Sequence, residues 1–339
     1  MLKDLRKLKL NKMSKFLVTG GAGFIGSHLT DLLVKNNHEL VIVDNLSTGH
    51  KKNLEHLKEN TNVLFLEKDC LNLHLNDKIF KNIDYIVHFA GIGDIVPSIE
   101  NPSKYMTNNV NGTINMLEIA RKLNVKKFVY AASSSCYGLA TVPTNEDHEI
   151  SPMYPYALSK YLGEMSCFHW YKVYGVPVNS IRIFNAYGTR VRTTGAYGAV
   201  FGVFLKQKLS NKPFTVVGDG SQKRDFLYVE DVADAFYKAA ITKIVGEIWN
   251  LGAGYPQSIN YLTDLLGGKK EYIPKRPGEP DCTWADNSKI KKDLKWQPKI
   301  SFEDGVKRML EDINNWKDAP LWDRDSIKKE TELWFKYLK

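Results

Sequence analysis

The 339-residue chain is 43% hydrophobic and 12% aromatic, which suffices for one large core or two closely joined ones and excludes a disordered chain. Its 47 Lys and Arg exceed 38 Asp and Glu, a net charge of +9 that suits nucleic acid, a membrane surface or an anionic small molecule. Beyond the first residues the basic side chains are dispersed, with no zinc-finger spacing or RNP-like motif, and no apolar run reaches the roughly 18 residues of a membrane span, so no nucleic-acid partner and no bilayer crossing are expected.

The opening segment 1–12, MLKDLRKLKLNK, is basic with leucines at roughly helical spacing. It reads either as a frayed extension or as a short surface-binding or partner-binding helix. From 13 to 183 β-rich runs alternate with amphipathic stretches. KFLVTG, ELVIVD, NVLFLEKD, DYIVHFA, KKFVYAA and VPVNSIRI are predicted strands, and 24–35, 102–123 and 154–174 predicted helices. That alternation is the signature of parallel βαβ units, hence of an α/β, Rossmann-type doubly wound parallel sheet. From 184 to 339 the pattern is mixed: a helix over 197–209, a strand PFTVV, a helix over 232–241, a strand EIWNL, the loop RPGEP and two further helices. A smaller mixed α/β lobe is predicted there, with the chain returning to the sheet over roughly 228–252. Cys70, Cys136, Cys167 and Cys282 are widely separated without a C-x-x-C pair, and no secretory leader is apparent. Reduced thiols in a cytoplasmic protein, and no metal site, are expected.

The first strand runs into Gly20-Gly21-Ala22-Gly23-Phe24-Ile25-Gly26 and then a helix. Glycines in that context allow a tight turn, bring backbone against a pyrophosphate and aim a helix N-terminus at its charge. Gly20, Gly23, Phe24, Ile25 and Gly26 are therefore candidate dinucleotide contacts. Asp44 ends the second strand 18 residues after Gly26, where a carboxylate would receive the adenosine ribose and repel a 2′-phosphate. The following residues, from Asn45 to Gly49, contain no arginine, so NAD is expected over NADP. Asp69, ending the third strand, is either an acceptor for the adenine amino group or a turn-forming cap. Ala90, at the end of the fourth strand, would let the chain pass close to the cofactor. His88 reads as a packed core histidine.

Tyr156 and Lys160, four residues apart on a predicted helix, share one face. A nearby ammonium favours a phenolate, so the lysine is expected to lower the tyrosine pKa toward neutrality. The pair alone is common on solvated helices; its weight comes from following the glycine turn and a strand that ends in Ser133-Ser134-Ser135-Cys136-Tyr137-Gly138.

TGGAGFIGSHL, DNLSTG, NNVNGT, SSSCYG, YPYALSK, RIFNAYG, GDGSQKRDFLYVEDV and RPGEP stand in an order that resembles the nucleotide-sugar epimerase and dehydratase branch of the extended short-chain dehydrogenase/reductase family. The resemblance covers nearly the whole chain after residue 12. It implies that Ser133 hydrogen-bonds a sugar hydroxyl, Tyr156 is the base, and Lys160 holds the nicotinamide ribose while tuning Tyr156. It further implies that Asn109 supports the cofactor region and that Asn185, Arg224 and Arg276 contact the substrate diphosphate, the lobe over 184–339 being mainly substrate-binding. Two anionic phosphates suit guanidinium groups, whereas arginines in Gly- and Pro-rich turns can equally be solvated. Segment 195–200 is similar to the family's substrate lid, where backbone groups of Ala199 and Val200 meet the base or phosphate. Dehydratases of the branch usually carry Asp and Glu at the positions of Ser134 and Ser135, and decarboxylases a Glu at the second. The serines favour epimerisation through a 4-keto sugar, with C4 of a UDP-hexose or UDP-N-acetylhexosamine the leading expectation. Dehydration or decarboxylation is the alternative, and a non-catalytic dinucleotide sensor a distant one. By the same resemblance Thr283, small, is expected to leave room for an N-acetyl group, and members pair as homodimers through two long helices. Met165, Phe168, Trp170 and Tyr171 on the 154–174 helix would serve that face or the monomer core.

Overall fold

In the computed structural model, residues 13–75, 78–193 and 200–338 are described. The basic segment 1–12, Ala199 and the rest of the 195–200 stretch before Val200 lie outside them. Strands form where apolar, β-branched runs are covered on both faces, as a parallel sheet requires. They are β1 (Lys15–Thr19), β2 (Glu39–Asp44), β3 (Val63–Glu67), β4 (Tyr85–His88), β5 (Lys127–Ser133) and β6 (Val178–Ile183). Between them run α1 (Phe24–Lys35), α2 (Ile95–Glu100), α3 (Pro102–Tyr105), α4 (Gly112–Leu123) and α5 (Pro155–Tyr174). The helix expected over 102–123 is interrupted. Met106–Asn111 is a π-helical segment between α3 and α4, the kind of local widening often found at functional sites.

The second half contributes β7 (Asn185–Tyr187), α6 (Val200–Leu209), β8 (Phe214–Val217), β9 (Lys223–Arg224), β10 (Phe226–Tyr228), α7 (Val229–Ile241) and β11 (Ile248–Leu251). After these come β12 (Gln257–Ser258), α8 (Ile259–Leu266), β13 (Lys270–Ile273), α9 (Ser288–Leu294), α10 (Phe302–Glu311), α11 (Arg324–Glu330) and α12 (Glu332–Tyr337). Beyond the RPGEP loop the described residues thus hold four helices, α9 to α12, where two were expected. α9, α11 and α12, of seven, seven and six residues, span no more than two turns and so repeat no amphipathic pattern, and α11 is announced only by its Asp323–Ser326 capping box.

The central sheet is seven-stranded and wholly parallel, in the order β11-β6-β5-β4-β1-β2-β3. α1 and α7 cover one face, with Leu29, Leu33, Val232 and Phe236 in its core. α4 and α5 cover the other through Met116, Leu117, Ala120 and Cys167. This is the doubly wound α/β architecture. Strand order reverses between β1 and β4, and the crevice beyond their C-terminal ends is where such sheets bind ligands. β11 brings the chain back beside β6. A separate aromatic core, with Tyr187, Phe201, Phe226 and Phe302 in mutual ring contact, joins the paired short strands β7–β10 and β8–β13 to α6, α8 and α10. No helix among the described residues is long and apolar enough to cross a membrane.

Candidate active site

A continuous cleft of about 710 Å³ runs from the glycine turn, past the ends of β4 and β5, into the smaller lobe. At its first end, Gly20 has φ +70°, and a Cβ there would lie 2.8 Å from Ala90 N; a Cβ on Gly26 would overlap Gly20 O. Only glycine lets β1, α1 and the end of β4 approach so closely. α1 begins after Gly23 without a side-chain cap, so the first-turn N–H groups of Phe24, Ile25 and Gly26 face the cleft available to an anion. Asp44 is buried; its Oδ2 accepts from Ala22 N (3.0 Å) and its Oδ1 from Leu46 N (2.8 Å). Burial pushes its carboxyl pKa up while those amides hold it down. Asn45 donates Nδ2–H to Asp69 Oδ2 (2.7 Å), and Asp69 Oδ1 accepts from Leu71 N (2.8 Å), so Asp69 does cap the turn that follows it. Both side chains also line the cleft. A glycine cradle, uncapped helix N–H groups and a carboxylate at the end of β2 fit a dinucleotide.

Asn109, inside the π-helical segment, staples the cofactor side together: Oδ1 accepts from Ile92 N (2.7 Å), and Nδ2 donates to Ile92 O (3.0 Å) and Ser159 Oγ (2.8 Å). His88 is a core residue. Thr113 donates its hydroxyl to Asn109 O (2.6 Å), so it accepts from His88 Nε2–H (3.0 Å), leaving Nδ1 to face Thr19 Oγ1 (2.6 Å). Burial, then the Lys160 charge, lowers the imidazole pKa to about 3.

Ser133 ends β5, and its Oγ accepts from Ser135 N (3.2 Å) in the turn that follows. Tyr156 and Lys160 project from the first turns of α5 into the same cleft. The expected lowering of the Tyr156 pKa toward neutrality is not found. Burial raises the phenol pKa above its ordinary value; the Ser133 hydroxyl, as hydrogen-bond partner, opposes this, and the Asp94 carboxylate adds to it. Lys160 Nζ instead lies 4.4 Å from the Tyr130 ring centroid, with its own pKa lowered to about 8 by burial. Behind the site, buried Arg182 and Glu164 pair at 2.6 Å. Glu164 also accepts from Ser180 Oγ (2.7 Å), and Arg182 donates to Tyr137 OH (2.7 Å), which donates to Asn250 Oδ1 (2.8 Å). One polar network thereby ties α5 to β6, β11 and the turn after Ser133.

In the smaller lobe, Thr283 donates its hydroxyl to Asn185 Oδ1 (2.6 Å), and both line the cleft with Val200. Arg224 and Arg276 are not solvated turn residues: their side chains are 11% and 16% exposed, and they converge on Glu279 from two sides, at 2.8 and 2.9 Å. Arg224 also donates to Pro280 O (2.9 Å). Glu279 was visible in RPGEP, but its role as the acid holding two arginines in one place was not. Sequence reading also passed over Tyr154, Trp334 and Asp94, all lining the cleft; Asp94 pairs with Arg192 at 2.8 Å. Glu146, by contrast, has Oε1 accepting from Asn250 N (2.7 Å) and is absent from the cleft walls, as is Asp147, whereas Ser134 and Ser135 belong to them.

Residues 17–309 match the family model described as GDP-mannose 4,6 dehydratase. The UDP-glucuronate 4-epimerase of Thermodesulfobacterium geofontis is 35% identical over 90% of this chain and 96% of its own. The UDP-glucuronic acid 4-epimerase of Bacillus cereus, solved with UDP-glucuronic acid and NAD, superposes with a TM-score of 0.83 at 34% identity, covering 89% of this chain and 99% of that one. The UDP-glucose 4-epimerase of Thermotoga maritima, solved with UDP-glucose, gives 0.82 at 33% identity, over 89% and 99%. A glycine turn, a Ser-Tyr-Lys group and an arginine pair thus share one cleft, on a chain matched almost end to end: it belongs to the GDP-mannose 4,6 dehydratase family, the nucleotide-sugar epimerase and dehydratase branch of the extended short-chain dehydrogenases/reductases.

Proposed function

We propose that this protein is an NAD-dependent nucleotide-sugar epimerase that inverts C4 of a UDP-hexose or UDP-N-acetylhexosamine. The observation that carries the reading is that Ser133, Tyr156 and Lys160 line one cleft together with the glycine turn and the two arginines. NAD, when bound, supplies the hydride acceptor that makes a C4 alcohol oxidisable and returns the hydride. Asp44 and Asn45 would receive the adenosine ribose, Asp69 would stand near the adenine, and the N–H groups of Phe24, Ile25 and Gly26 would meet the pyrophosphate. Lys160 holds the second ribose, and Ala90 and Asn109 keep the floor of the site in register.

Tyr156 takes the O4 proton, with Ser133 orienting that hydroxyl, and returns it to O4 when the turned 4-keto sugar takes its hydride back on the opposite face of C4. Arg224 and Arg276 hold the diphosphate about which the 4-keto sugar turns, a task for which the phosphates displace Glu279 as their partner. Asn185 and Thr283 border the sugar, and the small threonine accommodates an N-acetyl group. Ser134 and Ser135 provide no carboxylate to eliminate water, which favours epimerisation over dehydration. The chain pairs through α4 and α5, the latter exposing Leu158, Leu162 and Met165 to 39%, 37% and 52%, and works in a reducing cytoplasm with its cysteines free.

The test is to incubate the protein with UDP-, GDP-, CDP- and dTDP-sugars in deuterated water and resolve the products by NMR and mass spectrometry. A stereoisomer of unchanged mass, without solvent deuterium on carbon, is expected. Tyr156→Phe should slow its formation about 10²–10⁴-fold. A 6-deoxy-4-keto product, one water lighter, would replace the epimerase with a dehydratase.

A further inference from the structure

The family match ends at residue 309, but the cleft wall does not: Trp334, on α12, lines it. Its indole is 5% exposed, and Nε1 donates to Pro277 O at 2.7 Å. The Arg276 guanidinium carbon lies 5.5 Å from the ring. On another side the Tyr154 ring packs at 6.1 Å, and Tyr154 stacks at 6.4 Å and 8° on Tyr156. α12 also rests on α2, the helix that follows Asp94. Leu338 lies against Gly278 in the arginine loop. A single C-terminal side chain therefore touches the loop that carries one arginine and the residue leading into the catalytic helix.

We propose that Trp334 is a positioning residue for a nucleoside diphosphate, acting through Arg276. The indole receives the guanidinium on its face while the Pro277 carbonyl fixes the ring. The ring therefore sets the plane of the guanidinium before ligand arrives, and less ordering cost is left to binding. The chain beyond residue 309 becomes part of the diphosphate site. This rests on the reading above, in which Arg224 and Arg276 meet the diphosphate.

Trp334→Phe keeps an aromatic face, whereas Trp334→Leu keeps apolar bulk without one. Full-length wild type and both variants are titrated calorimetrically with UDP, GDP, CDP and dTDP, and assayed on the sugar that wild type converts. For the nucleotide that wild type binds tightest, the Leu variant should bind about tenfold more weakly. Its KM should rise likewise, with kcat within about twofold of wild type, and the Phe variant should recover most of the loss. A purely structural role would instead lower Tm and kcat and leave Kd alone. In the Arg276→Ala background Trp334→Leu should cost nothing further. Equal affinity of the Leu and Phe variants, or fully additive losses with Arg276→Ala, would overturn the proposal alone. Wild type binding none of the four nucleotides would overturn it together with the reading on which it rests, while binding without turnover would sink only the reaction.

Discussion

Asp94 is the carboxylate that bears on Tyr156, and it does so from the loop after β4 while paired with Arg192. A phenol acts as base only when ionised, and a neighbouring negative charge makes ionisation harder. Asp94→Asn removes that charge and leaves Arg192 without this partner; both changes favour the phenolate, so the pKa of Tyr156 falls. Activity that rises with pH as Tyr156 loses its proton should then rise at lower pH. In profiles of kcat against pH, the acid limb is expected to move downward in the variant. An unmoved limb would assign that ionisation to another group, Lys160 being the first to consider, since its pKa is lowered to about 8. The pair tests whether the smaller lobe, through Arg192, helps to set the base.

At the scale of elements, α5 stands out because a charged network is buried under it. Glu164 and Arg182 are 2% and 4% exposed at 2.6 Å, and the carboxylate is further satisfied by Ser180. Breaking such a pair from one side strands the other charge. Glu164→Ala should therefore destabilise the fold by about 3–5 kcal/mol, read as a lower midpoint in urea with an unchanged slope. A shift within error of zero would mean that water or rearranged neighbours replace the carboxylate. The elements themselves differed in how far the sequence revealed them. α1 and α5, the strands of the sheet and the glycine turn have local signals: a period, a run of β-branched residues, closely spaced glycines. The π-helical segment had none, since Met106–Asn111 continues the helical pattern of its neighbours and is marked only by what Asn109 reaches. Asp69 was ambiguous because a strand-end acid satisfies both a cap and a ligand, and it is the cap that the fold realises. Glu279 and Trp334 were missed for a different reason: the link from Glu279 to Arg224 is tertiary, and nothing in local spacing links Trp334 to Arg276.

For the whole molecule, the outer side of α5 is the most apolar exposed stretch near the site. Leu158, Leu162 and Met165 lie at spacings that share a helix face, a pattern that calls for a covering surface. Leu162→Glu combined with Met165→Glu should convert a dimer to monomers in sedimentation velocity at micromolar protein. A wild type that sediments as a monomer, or a variant that stays dimeric, would move the interface elsewhere. Tyr156 and Lys160 stand on the opposite side of the same helix, one turn from these residues. The base and the exposed apolar face therefore share one helix. Mass action would then enter catalysis in the proposed dimer: diluting the enzyme below its subunit dissociation constant should expose this face and make specific activity depend on protein concentration.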